Sequence, residues 1–391
     1  MRMSRFTRFA LVCMMAGLVV ALSSCDELVS ILSTTDIPET EGVQGEITLG
    51  LALPLTGDAA GPYGFSMQRG FELAQEEINS AQLGDATISF ITVDDMSTAD
   101  GAISAFQNLA AQGVPAIVGY AYTSQIDHVF PLAEEAKVVT FSSVSSGAGR
   151  SSLSEYAFRT GLATNILNPA GVKESQARLG YTKVAVIYDE VDAYSKSGYE
   201  DLSAALEEIG VNVVTTQTLQ KGDTDFSEQI AAIMATDAEA VVISALATEM
   251  VHIMSQGREA GIPSSVRYIA PDMTANEVAM LGDAAEGVIT FINWIETSET
   301  PGNQAFIQNY RETYGMEPDP WAAQSYATLY ILAAAISNAG STDSSAIRDA
   351  LAQTMDFETI LGQFSFDPNG EALYDPVIAV VEDGQIVTFE E

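Results

Sequence analysis

Few side chains in this sequence have the type and spacing for covalent or acid–base chemistry. The two histidines, His128 and His252, fall inside predicted helices, and neither stands near a cysteine or the other histidine at metal-ligand spacing. There is no G-x-S-x-G elbow and no phosphate-binding P-loop. Asp94, Asp95 and Asp100 lack the alternation and the glycine of a calcium loop, and Gly57, Gly61 and Gly64 do not make G-x-G-x-x-G. No catalysis, metal or cofactor is therefore expected. What the sequence offers is the chemistry of holding. Between Ile47 and Ser80 an apolar run breaks at Thr56-Gly57 into a loop of small residues. That loop carries hydroxyls, backbone amides and one aromatic, Tyr63, but no acid, base or thiol aimed at a reaction.

The elements around that loop follow from periodicity. Ile47–Leu55 reads as a buried strand, and Met67, Phe71, Ala74 and Ile78 recur at helical spacing. Strand, glycine-rich turn and helix make the opening unit of a parallel α/β sheet, and small ligands bind at such turns. The alternation continues through strands at 87–93, 116–119 and 138–141. A second series has strands at 183–188, 211–218, 240–244, 268–270 and 288–291. Helical stretches near 302–314, 320–339 and 344–354 follow, then strands at 364–366, 377–381 and 385–389. The two series part near Arg159–Thr164. The fold expected is α/β, with two doubly wound parallel-sheet lobes.

The first residues read as an export signal. Arg2, Arg5 and Arg8 precede an apolar run, Phe9–Leu22, too short to span a bilayer comfortably. Leu22-Ser23-Ser24-Cys25 resembles the lipobox of bacterial lipoproteins. The resemblance implies a signal peptide over 1–24, a lipid on Cys25 and a flexible tether over 25–45. Cys13 would leave with the signal, so the mature chain would hold neither free thiol nor disulfide. No later segment has 18 uninterrupted apolar residues.

With 53 acidic against 16 basic residues, the formal charge is -37, which makes nucleic acid and anionic lipid poor partners. Only five of the basic residues are lysines. The acids are dispersed, as on a solvated surface.

An ordered set of short motifs carries a further resemblance. It comprises Pro54-Leu55-Thr56-Gly57 with Tyr63-Gly64, Val93-Asp94-Asp95, and Val118-Gly119 before Thr123-Ser124. It continues with Ser142 to Ser146, Phe158-Arg159-Thr160, Ile187-Tyr188-Asp189 with Tyr194, Pro271-Asp272, and Gly282 to Gly287. The chain from about residue 46 onward resembles the type I periplasmic solute-binding proteins, nearest the branched-chain amino-acid-binding subunits of ABC importers. The resemblance implies lobes of residues 46–161 with 292–375 and 162–291 with 376–391, joined by a three-strand hinge near 159–164, 291–294 and 368–376. It implies a monomer outside the cytoplasm, anchored by its lipid, that hands an aliphatic or branched-chain amino acid to an ABC permease.

Residue by residue, it implies that the ligand carboxylate is held by Thr123, the main chain of Val144, and Ser146. A helix beginning at Thr123 would add free N–H groups and its positive dipole end. The ammonium would meet Asp272, where Glu is the closer family pattern. The side chain would meet Tyr63, Tyr194, Leu246 and Trp321, with Tyr120 and Tyr122 flanking Thr123. Leu246 stands where an aromatic ring is usual. That leaves open an amide, urea-like or aromatic acid ligand on the same fold, or a sensor that feeds a receptor.

Overall fold

The computed structural model describes residues 43–81 and 86–389. The positions expected to form the signal peptide, the lipidated Cys25 and most of the tether lie outside these residues. The first sheet has five strands, β1 (Gly45–Leu53), β2 (Ala86–Asp94), β3 (Ala116–Gly119), β4 (Val139–Ser142) and β5 (Ala157–Arg159). All are parallel, in the order β2-β1-β3-β4-β5. β3 and β4 are buried along their whole length. Helices cover both faces of a parallel sheet, so β3 reads as a short apolar run, while β4 buries Thr140 and Ser142 beside Val139 and Phe141. The helices are α1 (Phe65–Ala81), α2 (Ala99–Ala111) and α3 (Thr123–Ala136).

The second sheet contains β6 (Lys183–Asp189), β7 (Asn212–Leu219), β8 (Ala240–Ser244), β9 (Arg267–Pro271) and β10 (Ile289–Ile292). These five are parallel in the order β7-β6-β8-β9-β10, the same winding as the first sheet. Its helices are α4 (Thr164–Leu179), α5 (Ala193–Glu208), α6 (Ser227–Met234), α7 (Ala247–Ala260) and α8 (Ala275–Leu281). The chain returns to the first lobe with α9 (Asn303–Tyr314), α10 (Pro320–Ala339) and α11 (Ser344–Leu351), and α10 packs along α1. A small antiparallel sheet of β11 (Phe357–Thr359), β12 (Gly362–Phe366) and β13 (Ala372–Leu373) follows. Finally β14 (Val377–Glu382) and β15 (Gln385–Thr388) extend the second sheet as antiparallel strands. The second sheet is thus mixed at that edge rather than parallel throughout.

The structure departs from the sequence reading in further places: the short strands β5, β11 and β13 were not expected, nor were three other features. The loop before α1 is not open coil but one turn of π-helix, Ala60–Gly64, with Tyr63 N–H and Gly64 N–H both donating to the Ala59 carbonyl. Helix α4 went unseen in the sequence because it has no apolar stripe. It carries Pro169 and buries Asn168, Gly171 and Ser175 beside Leu167 and Val172. Gly171 is there for contact, since a Cβ would stand 2.0 Å from the Phe291 ring. Helix α6, of eight residues, is too short to show a period.

In both sheets the winding reverses between the first and third strands, at β1/β3 and at β6/β8. Ligand crevices form outside the carboxyl ends of strands at such points. Gly119 closes β3 at φ 130°, and a Cβ on it would lie 1.8 Å from the Ala52 carbonyl oxygen of β1. The next residue, Tyr120, also has positive φ (55°). The turn that delivers Thr123 therefore rests on a contact only glycine permits. Gly119→Ala should cost about 2–5 kcal/mol, combining backbone strain with overpacking. Denaturant unfolding of the variant beside the parent chain checks this.

Candidate functional site

The carboxyl ends of the two sheets face each other. The cavity between them is lined from the first lobe by Tyr63, Tyr122, Thr123, Val144, Ser145, Ser146 and Trp321, and from the second by Tyr194, Leu246, Met250 and Asp272 among others. All eight residues assigned from the sequence resemblance line this one space. Tyr122 lines it too, whereas Tyr120 is fully buried beneath it and contributes nothing to the wall. Room for the centres of water-sized molecules amounts to about 40 Å³. The lobes are closed on a small volume.

The first-lobe wall is a set of hydroxyls at a helix start. Tyr122 is the N-cap of α3, so Thr123 is its first helical residue and not its cap. The cap is completed by Gln125, whose Oε1 accepts the N–H groups of Ala121 and Tyr122. Thr123 Oγ1 lies 3.1 Å from Ser145 Oγ and accepts the Gly147 N–H at 3.2 Å. The 143–147 loop is held from behind by Arg159, which is fully buried. Its guanidinium donates to the carbonyls of Ser145 (3.2 Å) and Gly147 (2.6 Å) and pairs with Glu371. Glu371 in turn accepts the Ser151 N–H at 3.1 Å. With the Ser145 and Gly147 carbonyls committed to Arg159, Ser145 and Ser146 line the cavity, while the Ser143 hydroxyl turns to Ser325. A wall of this kind can bind an anion without a cation of its own, as helix N-termini do.

The second-lobe wall has opposite character. Asp272 follows β9 with φ 58°, a conformation uncommon for a residue with a Cβ. It does not cap α8. That cap is Thr274, in a capping box with Glu277. The Asp272 carboxyl is free for the cavity, held at Oδ2 by the Tyr194 hydroxyl (3.0 Å) and at Oδ1 by Asn293 Nδ2 (3.1 Å). Burial pushes it up to about 7, against the lowering effect of those two hydrogen bonds. The Tyr194 hydroxyl is itself held far above its ordinary value, by burial first and the neighbouring Asp272 charge second.

Between the polar walls lies an apolar belt. The Tyr63 ring packs 5.3 Å from Trp321 and 5.8 Å, edge-on, from Tyr122. Leu246, at the N-cap of α7, and Met250 face it from the other lobe. Burial raises the Tyr63 phenol strongly, and the Glu277 and Asp272 charges add to this. At the rim, Lys221 of the second lobe pairs with Asp58 of the first at 2.7 Å and stands 4.2 Å over the Tyr122 ring. Ser145, Met250 and Asn293 escaped the sequence reading. Ser145 sat within a quoted run of serines, but nothing marked it from its neighbours.

His128 and His252 do not line the cavity. Among the described residues no group of three His, Cys, Asp or Glu side chains could hold a metal ion. No helix among them is long and apolar enough to cross a membrane.

Comparison with known proteins places these features in context. The sequence profile of the family described as periplasmic binding protein matches residues 46–385. The chain is 26% identical over 338 residues to Leu/Ile/Val-binding protein homolog 1 of Brucella suis, covering 83% of this chain and 87% of that one. It is 25% identical over 329 residues to the leucine-, isoleucine-, valine-, threonine- and alanine-binding protein of Pseudomonas aeruginosa, with the same coverages. Among solved structures it resembles the branched-chain amino acid transporter substrate-binding protein LivJ of Streptococcus pneumoniae, in complex with isoleucine. There the TM-score is 0.81 at 26% identity, over 87% of this chain and 97% of the other. A solute-binding protein of an ABC transporter from Rhodopseudomonas palustris, in complex with benzoate, shares the fold with a TM-score of 0.79. Its identity is 20%, over 88% and 96% of the two chains.

Proposed function

This chain belongs to the periplasmic binding protein family, and we propose that within it the protein captures a small aliphatic amino acid between its lobes and presents it to an ABC permease. One observation carries the reading. Across a small apolar cavity, a wall of hydroxyls and a helix start at Thr123 and Ser146 faces a single carboxyl, Asp272, from the other lobe. That polarity matches a zwitterion held at both ends. Thr123, Ser146 and the Val144 main chain take the carboxylate. Asp272 takes the ammonium, and Tyr194 keeps its carboxyl aimed. Tyr63, Trp321 and Leu246 enclose the side chain. The protein would bind and release its ligand unchanged.

The lobes are assigned as residues 46–161 with 292–375 and 162–291 with 376–391, closing about the three crossings between the sheets. We assign the chain to the outside of the cytoplasm, as a monomer tethered by a lipid on Cys25. Mass spectrometry of the mature protein checks that assignment. A diacylglycerol mass on Cys25 is expected, and a chain beginning elsewhere would refute it.

The aromatic belt favours a second occupant, an aromatic acid. Such a ligand would leave Asp272 without a cation, so the same measurement separates the two. Calorimetry of the soluble domain against aliphatic amino acids and against benzoate should give heat with the former. Heat with benzoate alone would reverse the choice.

An ammonium–carboxylate hydrogen bond is worth roughly 1.5–3 kcal/mol. Asp272→Asn, which keeps the shape and removes the charge, should therefore weaken amino-acid binding about tenfold or more. Unchanged affinity would remove Asp272 from the site.

Binding should also depend on pH. The Asp272 carboxyl titrates at about 7, and only its ionised form attracts an ammonium. Above that pH the affinity is full. As pH falls from 8 to 6 the carboxyl takes up a proton that the ligand must displace, and affinity falls, toward tenfold per unit below 7. A titration in buffers of different ionisation enthalpy should show proton release on binding at pH 7. A flat affinity between pH 6 and 8 would contradict the assignment.

A further inference from the structure

Asn293 is 2% exposed and stands at the end of β10, where the chain leaves the second sheet for the first lobe. Its side chain makes three contacts, each to a different part of the molecule. Oδ1 accepts the backbone N–H of Leu162 at 2.9 Å. The Tyr374 hydroxyl reaches the same Oδ1 at 2.9 Å and lies 3.0 Å from the Thr160 carbonyl oxygen. Nδ2 donates to Asp272 Oδ1 at 3.1 Å. Leu162 lies between β5 and α4, Asn293 follows β10, and Tyr374 lies between β13 and β14. Those are the three places where the chain passes between the two sheets. One amide therefore touches all three crossings and the carboxyl in the cavity.

The orientation of the amide is chemically fixed. A backbone N–H can only donate, so the atom facing Leu162 must be the oxygen. The nitrogen is then turned to Asp272. A reversed amide would leave the Leu162 N–H unpaired in a buried hinge and set an oxygen against a carboxylate. Asp272 is also in a left-handed backbone conformation, so its aim depends on what grips it.

We infer that Asn293 is the positioning residue that aims the Asp272 carboxyl into the cavity from an anchor formed by the three hinge crossings. This deepens the proposed function, since it rests on Asp272 being the ammonium partner. An ionised Asp272, as a bound ammonium would hold it, accepts the Asn293 hydrogen bond more strongly than a protonated one. Occupancy of the cavity and the grip on the hinge thereby support each other.

Two variants separate the ends of this amide. Asn293→Asp keeps an oxygen for Leu162 and Tyr374 but replaces the donor to Asp272 with a second carboxyl oxygen. Asn293→Leu removes both ends. The group to follow is the Asp272 carboxyl. Tyr194 from α5 donates to it, and its charge is felt by Tyr63 across the cavity and Tyr374 at the hinge. Glu277 on α8 and Asp192 before α5 share that influence on Tyr63.

Carbon-13 titration of this carboxyl, in protein without added ligand, should show the N293D midpoint raised by a unit or more over the parent. The thermal transition should stay within a few degrees of the parent. An unmoved midpoint in N293D would overturn the inference. With L-leucine as the probe, N293D should bind at least tenfold more weakly at pH 7. The parent should compact on adding L-leucine in small-angle scattering, and N293L should not. Full compaction in N293L would overturn the hinge anchor. If D272N binds L-leucine as the parent does while N293D still moves the Asp272 midpoint, the ligand assignment fails and the positioning role stands.

Discussion

A carboxyl group withdrawn from water must be answered by charge or by hydrogen bonds, and at Asp272 the protein answers with two neutral donors, Tyr194 and Asn293. Neutral donors lower the cost of enclosure without cancelling the charge, which is why the carboxyl sits at about 7 and not in its ordinary acidic range. A group balanced in that way responds to a cation arriving from the cavity far more than one already paired to arginine would. Much of the surrounding architecture maintains the balance. Asp272 reaches the cavity through a strained backbone, its aim comes from a buried amide, and the wall opposite is free of lysine and arginine.

The first lobe solves the complementary problem by the reverse means. It has a guanidinium close at hand, Arg159, but commits it to Glu371 and to the carbonyls of Ser145 and Gly147. The charge is consumed in shaping a loop and does not face a ligand. What reaches the cavity is hydroxyl and amide, which bind an anion with less desolvation than an exposed charge would require. Breaking that buried pair from one side would leave the other charge stranded, so the loop and the pair form one unit. Under the proposed function, the two walls together suit a ligand that brings its own charges, one at each end.

The parts of this arrangement legible in the sequence are those with local causes. β3 and β8 are buried on both faces and read as apolar runs closed by glycine or serine. Helix α10 begins at Pro320 behind the cap of Asp319 and ends at Ala339 before the cap Gly340, close to the stretch read near 320–339. Helix α4 was not readable, because it is packed by glycine, serine and asparagine where a pattern search looks for leucine. The antiparallel direction of β14 depends on where the third crossing returns, which no local window contains. Six of the eight cavity residues lie in or beside the ordered short motifs, at strand-to-helix turns, whereas Leu246 and Trp321 were reached only through the family resemblance. Asn293 was missed for a plain reason. It stands in Ile292-Asn293-Trp294, an unremarkable run, and its partners lie 21, 81 and 131 positions away. Glu371, 212 positions from Arg159, was hidden in the same way.

Charge sets a final condition on closure. The whole chain carries a formal charge of -37, so bringing two acidic lobes together works against repulsion. The rim contributes little in return. Lys221 and Asp58 are 38% and 52% exposed, and exposed pairs of this kind are worth about 0–1 kcal/mol and are screened by salt. The aromatic contact beneath Lys221 adds about 0.5–1 kcal/mol at such a site. These terms are too small to hold the lobes together against the field of the protein. The interactions large enough to do so lie inside, where charge-assisted hydrogen bonds in a water-poor cavity are roughly twice as strong as neutral ones. On the proposed function, closure would accordingly be governed by what occupies the space between Thr123 and Asp272, and the amide of Asn293, bonded to Asp272, Leu162 and Tyr374, is where that occupancy would meet the chain crossings.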